Sequence, residues 1–401
     1  MKYIYTLILF TITSFSFAQE GKVKAYLDCS RCDENFIKQE TSFLDYVRDQ
    51  DLADVVIFIR DIWNPSGGRS YEIEIDGNNE FTDIYSTTKV SGFSSDTSSS
   101  LRDKMVNKLK LALVPFLDKA EYDLNVEVDS NFEASENNDD KWKNWVFEIA
   151  GSLNGDEEES RKTNRHRIEL EIDKVTEDWR IGMELQRDVT NRKFYSDDNE
   201  YKSTRKTTSF NGRVVRSISD HFSAGVFFGA YQNTYENIDF NRYLAPAIEY
   251  SFYPYKDVLS KEITLSYRIG AGKRNYIEKT IYGFEKQSLS SQAVSLNIRF
   301  RQKWGNISSN LDATQFLNDG SKKRFSWRSN LDIRVFEGLA VRLSGNVNLI
   351  REQYSLAAVN ASVEDLLLQQ RQIATNYRTS FSVGLSYTFG SIYNSIINTR
   401  L

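Results

Sequence analysis

Nine residues near the C-terminus, FSVGLSYTF at 381–389, constrain this chain more than any other stretch. Phe381, Val383, Leu385, Tyr387 and Phe389 alternate with Ser382, Gly384, Ser386 and Thr388, so one edge is wholly apolar and aromatic while the other is small and polar. That is the period of a β-strand. The unbroken apolar side suits lipid and the small polar side suits a watery or polar interior, as on a strand of an outer-membrane barrel.

The same alternation recurs upstream, about every 20 residues, from residue 142 onward. Segments at 144–153, 165–173, 180–186, 209–216, 222–231, 243–252, 263–269, 294–301, 306–314, 325–335 and 341–349 bring the total to twelve, an even number as in single-chain bacterial barrels. The segment at 209–216 is the weakest, and Pro246 sits awkwardly in its strand because a closed sheet has no free edge for a residue without an amide proton. Glu148, Glu169, Glu171, Arg180 and Glu184 fall on the polar faces of the early strands. Arg268, Arg299, Arg301, Arg328, Arg334 and Arg342 fall on those of the later ones. Inside a closed barrel these charges either neutralise one another and fill the lumen, since buried charges must be paired, or line a narrow passage that favours anions on its arginine side. Closure requires 381–389 to pair with 144–153, which would set Trp145 and Phe147 beside its aromatic residues.

The connections supply an independent test. Those at 155–164, 191–202, 232–242, 273–291, 316–324 and 351–376 read as long polar loops, whereas 175–178, 219–220, 304–305 and 337–338 are tight turns and 254–261 is the longest of that second set. Long loops at one end and turns at the other match an outer-membrane barrel whose N-terminus lies in the periplasm. A soluble β-sandwich, the alternative, needs no such asymmetry. Within the last loop, Ser362, Val363, Glu364 and Asp365 form a capping box that predicts a short helix over 366–374.

The chain opens with Lys2, an apolar run at 4–17 and the small residues Ser16 and Ala18, which reads as a secretory signal, residues 1–18, cleaved after Ala18. The run is shorter than the roughly 20 apolar residues a spanning helix needs. A domain at 19–119 follows. Its pattern predicts a strand at 23–28, an amphipathic helix at 33–49, strands at 53–59, 71–75 and 81–85, a serine-rich loop at 91–100, and a second helix from Ser99 that carries Leu101, Met105, Leu109 and Leu113 and stops after Pro115. The order is similar to that of the N-terminal domain of the periplasmic protein TolB, at the level of fold alone. Residues 120–141 form an acidic linker: nine acidic residues face two basic ones over 118–141.

Both cysteines, Cys29 and Cys32, lie between a strand and a helix N-terminus. In an exported protein the spacing is read as one local disulfide, or as a redox pair whose thiol the helix dipole acidifies, although the aromatic-Gly-Pro surroundings of such sites are absent. The imidazoles are His166, on the outward face near the loop end of the second strand, and His221, in a turn. His166 stands where a membrane phospholipase would place its base, but two residues on is Ile168 and not a serine. No catalytic set, cofactor site or metal-ligand cluster is readable. A formal charge of -5 gives no support for nucleic-acid binding.

Two resemblances add to this reading. Ser382, Gly384, Tyr387 and Phe389 resemble the C-terminal signal by which bacterial barrels are recognised for assembly, which implies the barrel assembly machinery and outer-membrane lipid as partners. LDCSRCDENFIKQETSFLDYVRD at 27–49, SGGRSYEI at 66–73, and LLLQQRQIATNY with GLSYTFGSIYNSIINTRL within 366–401 resemble a family of uncharacterised outer-membrane proteins of Bacteroidota. Members of that family end in an aromatic residue after Pro-Arg, and Thr399-Arg400-Leu401 departs from this. The expectation is a twelve-stranded antiparallel transmembrane barrel at 142–391, an all-β domain preceded by a small periplasmic α/β domain and followed by a periplasmic tail at 392–401 that meets that domain. Its expected function is a non-enzymatic channel, scaffold or assembly protein whose α/β domain docks an unidentified periplasmic partner or occludes the lumen. The alternatives are an outer-membrane hydrolase acting on lipid or peptide, and a periplasmic thiol oxidoreductase.

Overall fold

The computed structural model describes residues 22–29, 32–63, 69–92, 96–123, 141–196, 199–258, 260–336, 338–358, 374–391 and 393–395. The signal at 1–18, most of the acidic linker, most of the predicted helix at 366–374 and most of the tail lie outside these residues.

The N-terminal domain runs β1 (Lys24–Cys29), α1 (Glu34–Glu40), β2 (Asp45–Tyr46), β3 (Val55–Trp63), β4 (Arg69–Gly77), β5 (Tyr85–Val90) and α2 (Ser98–Lys119). Its five strands lie in the order β2-β1-β3-β4-β5, with β1 parallel to both neighbours and the rest antiparallel. Ile57, Ile59, Ile73 and Ile75 on one sheet face are at most 1% exposed and belong to one core with Leu109, Leu113 and Phe116 of α2. The other face carries Val56 and Phe58 in a smaller cluster with Val47 and Ala53, and Tyr26 packs against it.

Three local expectations need correction. The helix predicted over 33–49 stops at Glu40. Thr41 bonds its hydroxyl back to the Ile37 carbonyl and to the Tyr46 hydroxyl at 2.6 Å, and the chain leaves to form β2, so Leu44, Tyr46 and Val47 are buried from extended backbone. The strand predicted at 81–85 is instead a 3-10 turn at Asn79–Phe81 followed by β5. Finally, α2 continues past Pro115 to Lys119. Proline removes the bond to the carbonyl four residues back, which belongs to Leu111, a residue 58% exposed and open to water.

Twelve strands form the second sheet: β6 (Trp145–Glu158), β7 (Arg161–Val175), β8 (Trp179–Ser196), β9 (Asn199–Ser219), β10 (Phe222–Asn233), β11 (Ile238–Ser251), β12 (Lys261–Tyr276), β13 (Lys286–Gln302), β14 (Gly305–Phe316), β15 (Lys323–Phe336), β16 (Leu339–Ile350) and β17 (Tyr377–Tyr387). Each pairs antiparallel with its sequence neighbours, an up-and-down meander that gives a β-barrel fold. The short turns fall where the alternation places them. Two of them depend on glycine: Gly305 has φ +142° and Gly338 φ +77°, and a Cβ at these positions would stand 2.1 Å from the Asp332 carbonyl oxygen and 2.3 Å from that of Thr388.

Two of the expected long loops are strand instead. β6 and β7 continue through 155–164 to leave two residues between them, and β8 and β9 likewise run through 191–202. β9, containing the segment with the weakest pattern, is the longest strand at 21 residues, about 70 Å at ~3.3 Å per residue. Cross-strand charge pairs hold these extensions together, Lys162 with Glu157 at 2.8 Å and Lys193 with Glu200 at 2.8 Å, and Lys202 on the same strand as Glu200 adds a contact at 2.7 Å. Pro246 is accommodated by a gap in the β11–β12 ladder, whose register passes from Leu244 opposite Ala271 to Ala247 opposite Arg268.

The seam also differs from expectation. Among the described residues no ladder joins β17 to β6, so the twelve-stranded order begins and ends on an edge. Alternation assigns faces within each strand and says nothing about the pairing of first with last, the longest-range contact a barrel makes. β17 stops at Tyr387, and Phe389 lies beyond it, 82% exposed, with its ring 5.7 Å from that of Tyr387.

Candidate functional site

The registers sort the charged side chains onto one face of the sheet. Glu148, Glu171 and Glu184 lie directly opposite one another on three adjacent strands. Glu169 faces Gln186 in the next row, and Arg180 shares the face of Glu184. Like charges in register repel. Nearby, Asp173, 1% exposed, has Arg213 at 3.6 Å across β8. Arg299 pairs with Glu262 at 3.0 Å and Arg342 with Asp332 at 3.1 Å, and Arg268 lies over the Phe227 ring at 5.6 Å. Among the described residues Arg301 and Arg328 have no carboxylate within ion-pair distance.

Arg334 leaves the barrel altogether. Its guanidinium donates to Asp49 and, at 2.8 Å, to Asp51, both in the N-terminal domain. The Gly338 amide donates to the other Asp49 oxygen at 3.2 Å, Lys303 pairs with Asp76 at 2.9 Å, and the Gln50 side chain donates to the Lys303 carbonyl at 3.1 Å. The domain is therefore seated on the turn end of the barrel. As expected, the tail meets it: Tyr393 bridges Val47, Asn394 donates to the Tyr46 carbonyl at 2.6 Å, and the Tyr46 amide donates to the Ser395 hydroxyl at 2.8 Å.

Between domain and barrel wall lies a cavity of about 550 Å³, lined by Asp28, Phe58, Arg60 and Asp61 from the domain and by Arg299, Arg301, Asn330, Asp332, Arg342 and Ser382 from the wall. Asp28, Phe58 and Arg60 belong to the sheet face opposite α2, so this face looks into the lumen. Burial pushes the Asp28 carboxyl above the usual range, a shift Arg60 opposes and Asp332 reinforces. Burial likewise raises the Tyr26 hydroxyl to about 12. The hydrogen bond from Arg334 holds Asp51 below the ordinary carboxylate value.

The hairpin end is also crossed. Asn237, between β10 and β11, donates to the carbonyls of Glu278 at 2.9 Å and Ser355 at 3.0 Å, reaching the segment that follows β16. Thr280 bridges Ala357, and Ile238, Tyr276, Thr280, Tyr354 and Leu356 are all buried there.

Cys29 and Cys32 stand as a pair with Cα atoms 6.0 Å apart, and pack against the α2 side of the sheet, away from the cavity. His166 is in register with Leu153 and Val189 on the outward face. His221 is held by its Nδ1 against the Ser251 carbonyl at 2.7 Å and stacks near Tyr250. Neither faces the cavity. Among the described residues no group of three or more His, Cys, Asp or Glu is placed to hold a metal ion. Ser382 lines the cavity, and Gly384 stands opposite Arg342, so these two residues of the C-terminal pattern share the charged face.

Sequence reasoning did not pick out Asp173, Arg213, Glu249 or Glu262 on the wall, although their parity along the strands marks the same face. Asp49 and Asp51 carry no local signal. They matter only because Arg334 lies some 280 residues away.

No family model matches the sequence, and no curated protein matches it either. Among solved structures, the translocator domain of the autotransporter NalP from Neisseria meningitidis is similar at 10% identity, covering 73% of this chain and 98% of that one with a TM-score of 0.28.

Proposed function

We propose that the protein is an outer-membrane barrel of the kind found in the Bacteroidota family it resembles, and that its N-terminal domain, in the periplasm, closes a charge-lined passage. The observation that carries this reading is the seat of the domain: Arg334 on Asp49 and Asp51, with the Asp28, Phe58 and Arg60 face turned to the lumen wall. The segment around Tyr354 and Leu356, hydrogen-bonded through Ser355 to Asn237, lies at the other mouth and supports a passage closed at both ends. The outward apolar run of β12, Ile263, Leu265, Tyr267 and Ile269, spans about 20 Å at ~3.3 Å per residue, near the ~25 Å band of such barrels. Arg301 and Arg328, with no carboxylate within ion-pair distance among the described residues, favour anions on the later strands, whereas the Glu148, Glu171 and Glu184 row on β6–β8 does not.

Planar-bilayer recording tests it. The full chain is expected to be nearly silent, and Asp49→Ala, Asp51→Ala and Asp76→Ala combined with Tyr354→Ala to conduct, with anion preference lowered by Arg301→Gln. A combined variant that inserts and stays silent removes the channel and leaves a scaffold.

A further inference from the structure

On the outward face, at the hairpin end of β12–β16, the registers place two contrasting rows side by side. Tyr267, Val294, Ala313, Phe325 and Leu349 stand opposite one another in one row. The next row outward is Ile269, Gln292, Gln315 and Lys323, with Arg351 joined to Lys323 through its backbone amide. Because Ala313 is small between Val294 and Phe325, the apolar row holds a groove of about 630 Å³, within the roughly 300–1,000 Å³ of ligand sites.

The polar atoms at the upper edge of the groove are already used. Tyr267 donates to Gln292 at 2.9 Å, Gln292 to Gln315 at 3.0 Å, and Gln315 to the Gly320 carbonyl at 3.1 Å. The cations are not. Lys323 and Arg351 are exposed, and among the described residues neither has a carboxylate within ion-pair distance. The nearby acids are turned elsewhere: Glu352 to Arg324 on the inner face, and Asp319 to Ser321. Two unmatched cations at the end of an apolar groove, at the border of an apolar band, have the form of an amphiphile with an anionic head.

We propose that this groove binds a membrane lipid with an anionic phosphate headgroup, one acyl chain lying on Val294 and Ala313 between Tyr267 and Phe325, and the phosphate held by Lys323 and Arg351. The proposal rests on the membrane reading above, and flotation with vesicles scores insertion separately, so failure of that reading is distinguishable from failure of this site.

The test is native mass spectrometry of the full chain in mild detergent, titrated with phosphatidylglycerol or phosphatidylcholine. The wild-type chain is expected to retain one phosphatidylglycerol at concentrations where phosphatidylcholine is not retained. Lys323→Gln with Arg351→Gln is expected to weaken retention about thirty-fold, from ~1 kcal/mol per basic residue near an anionic surface. Ala313→Trp, which fills the groove and keeps both cations, is expected to abolish it. Lys273→Gln, an exposed outward cation on β12 beyond the groove, should change nothing. Heat-modifiable migration confirms that each variant is folded. Equal retention of both lipids, displacement of phosphatidylglycerol by inorganic phosphate alone, or unchanged retention in folded Ala313→Trp would each overturn the site.

Discussion

β4 and β17 are written in the same alternation and meet opposite fates. In β4, Tyr71, Ile73 and Ile75 are 5%, 0% and 0% exposed, whereas in β17 Phe381, Val383 and Leu385 are 87%, 65% and 73% exposed. The difference lies in what else the chain supplies. The apolar row of β4 has α2, whose Leu109, Leu113 and Phe116 complete a core. Among the described residues the apolar row of β17 has no helix and no second sheet to cover it. Period-two patterning thus specifies a strand and its two faces, while the medium on the apolar side is decided by whether an amphipathic partner exists elsewhere in the chain. One region keeps its apolar surface from water by packing, and the other by requiring a different solvent.

The sharpest break of that contrast is Phe116→Ala. Phe116 is fully buried against the sheet, and large-to-small changes at such aromatic positions cost about 3–5 kcal/mol. Hydrogen exchange in β4 should accelerate accordingly while the barrel strands keep their protection. If the whole molecule loosens together, the two regions do not have separate cores. Next in size is Val383→Arg, which costs about 2–4 kcal/mol if the residue faces mid-bilayer, read as folding yield into vesicles across a urea series. An unaffected yield would mean that the exposed row of β17 does not face lipid, and the comparison with β4 would lose its basis.

What was legible in the sequence follows the same division. The twelve strands, their faces and the short turns could be read because alternation and turn chemistry are local. Three strands of the N-terminal sheet, β1, β3 and β4, and its main helix could be read for the same reason, whereas β2 and β5 could not. The end of α1 could not, because Tyr46 draws Thr41 out of the helical pattern through a contact that exists only in the fold. Polar composition at 155–164 and 191–202 suggested loops, yet a strand that projects past an apolar band is polar on both faces and looks identical in sequence. For the candidate site, the arginines of the wall were visible from parity. The role of Arg334 was not, since its partners sit in another domain, Asp49 at the end of a segment that reads as helix and Asp51 just beyond it.

That ion pair decides whether the two regions act as one unit, and Asp49→Ala addresses it. The Asp49 side chain is 9% exposed and that of Arg334 22%. Removing one partner of a buried, hydrogen-bonded charge pair costs at least about 2 kcal/mol, and the low end is expected because Arg334 keeps Asp51. The Gly338 amide, which donates to Asp49, should lose its exchange protection in this variant. Retained protection would show that the domain is seated by other contacts.

The smallest effect, and the one that reads the seat most finely, is its dependence on pH, because two carboxyls of the domain are shifted in opposite directions. Asp51 is held low by the hydrogen bond from Arg334. Its contribution to docking is present above the free carboxylate value of ~3.9 and is lost as pH falls through the lower docked value. Asp28 is held high by burial, with Asp332 reinforcing and Arg60 opposing. Its contribution is present below ~3.9 and is lost as pH rises through the higher docked value. Docking, followed by exchange at Gly338, should therefore weaken on both sides of a maximum in the acid range. Asp51 has a side chain 66% exposed, so its limb amounts to less than ~1 kcal/mol. Asp51→Asn should flatten the acid limb and Asp28→Asn the alkaline one, each leaving the other in place. Were the acid limb to persist in Asp51→Asn, the pairing with Arg334 would have to be carried by Asp49 alone, and the barrel and domain would be joined through one carboxylate and not two.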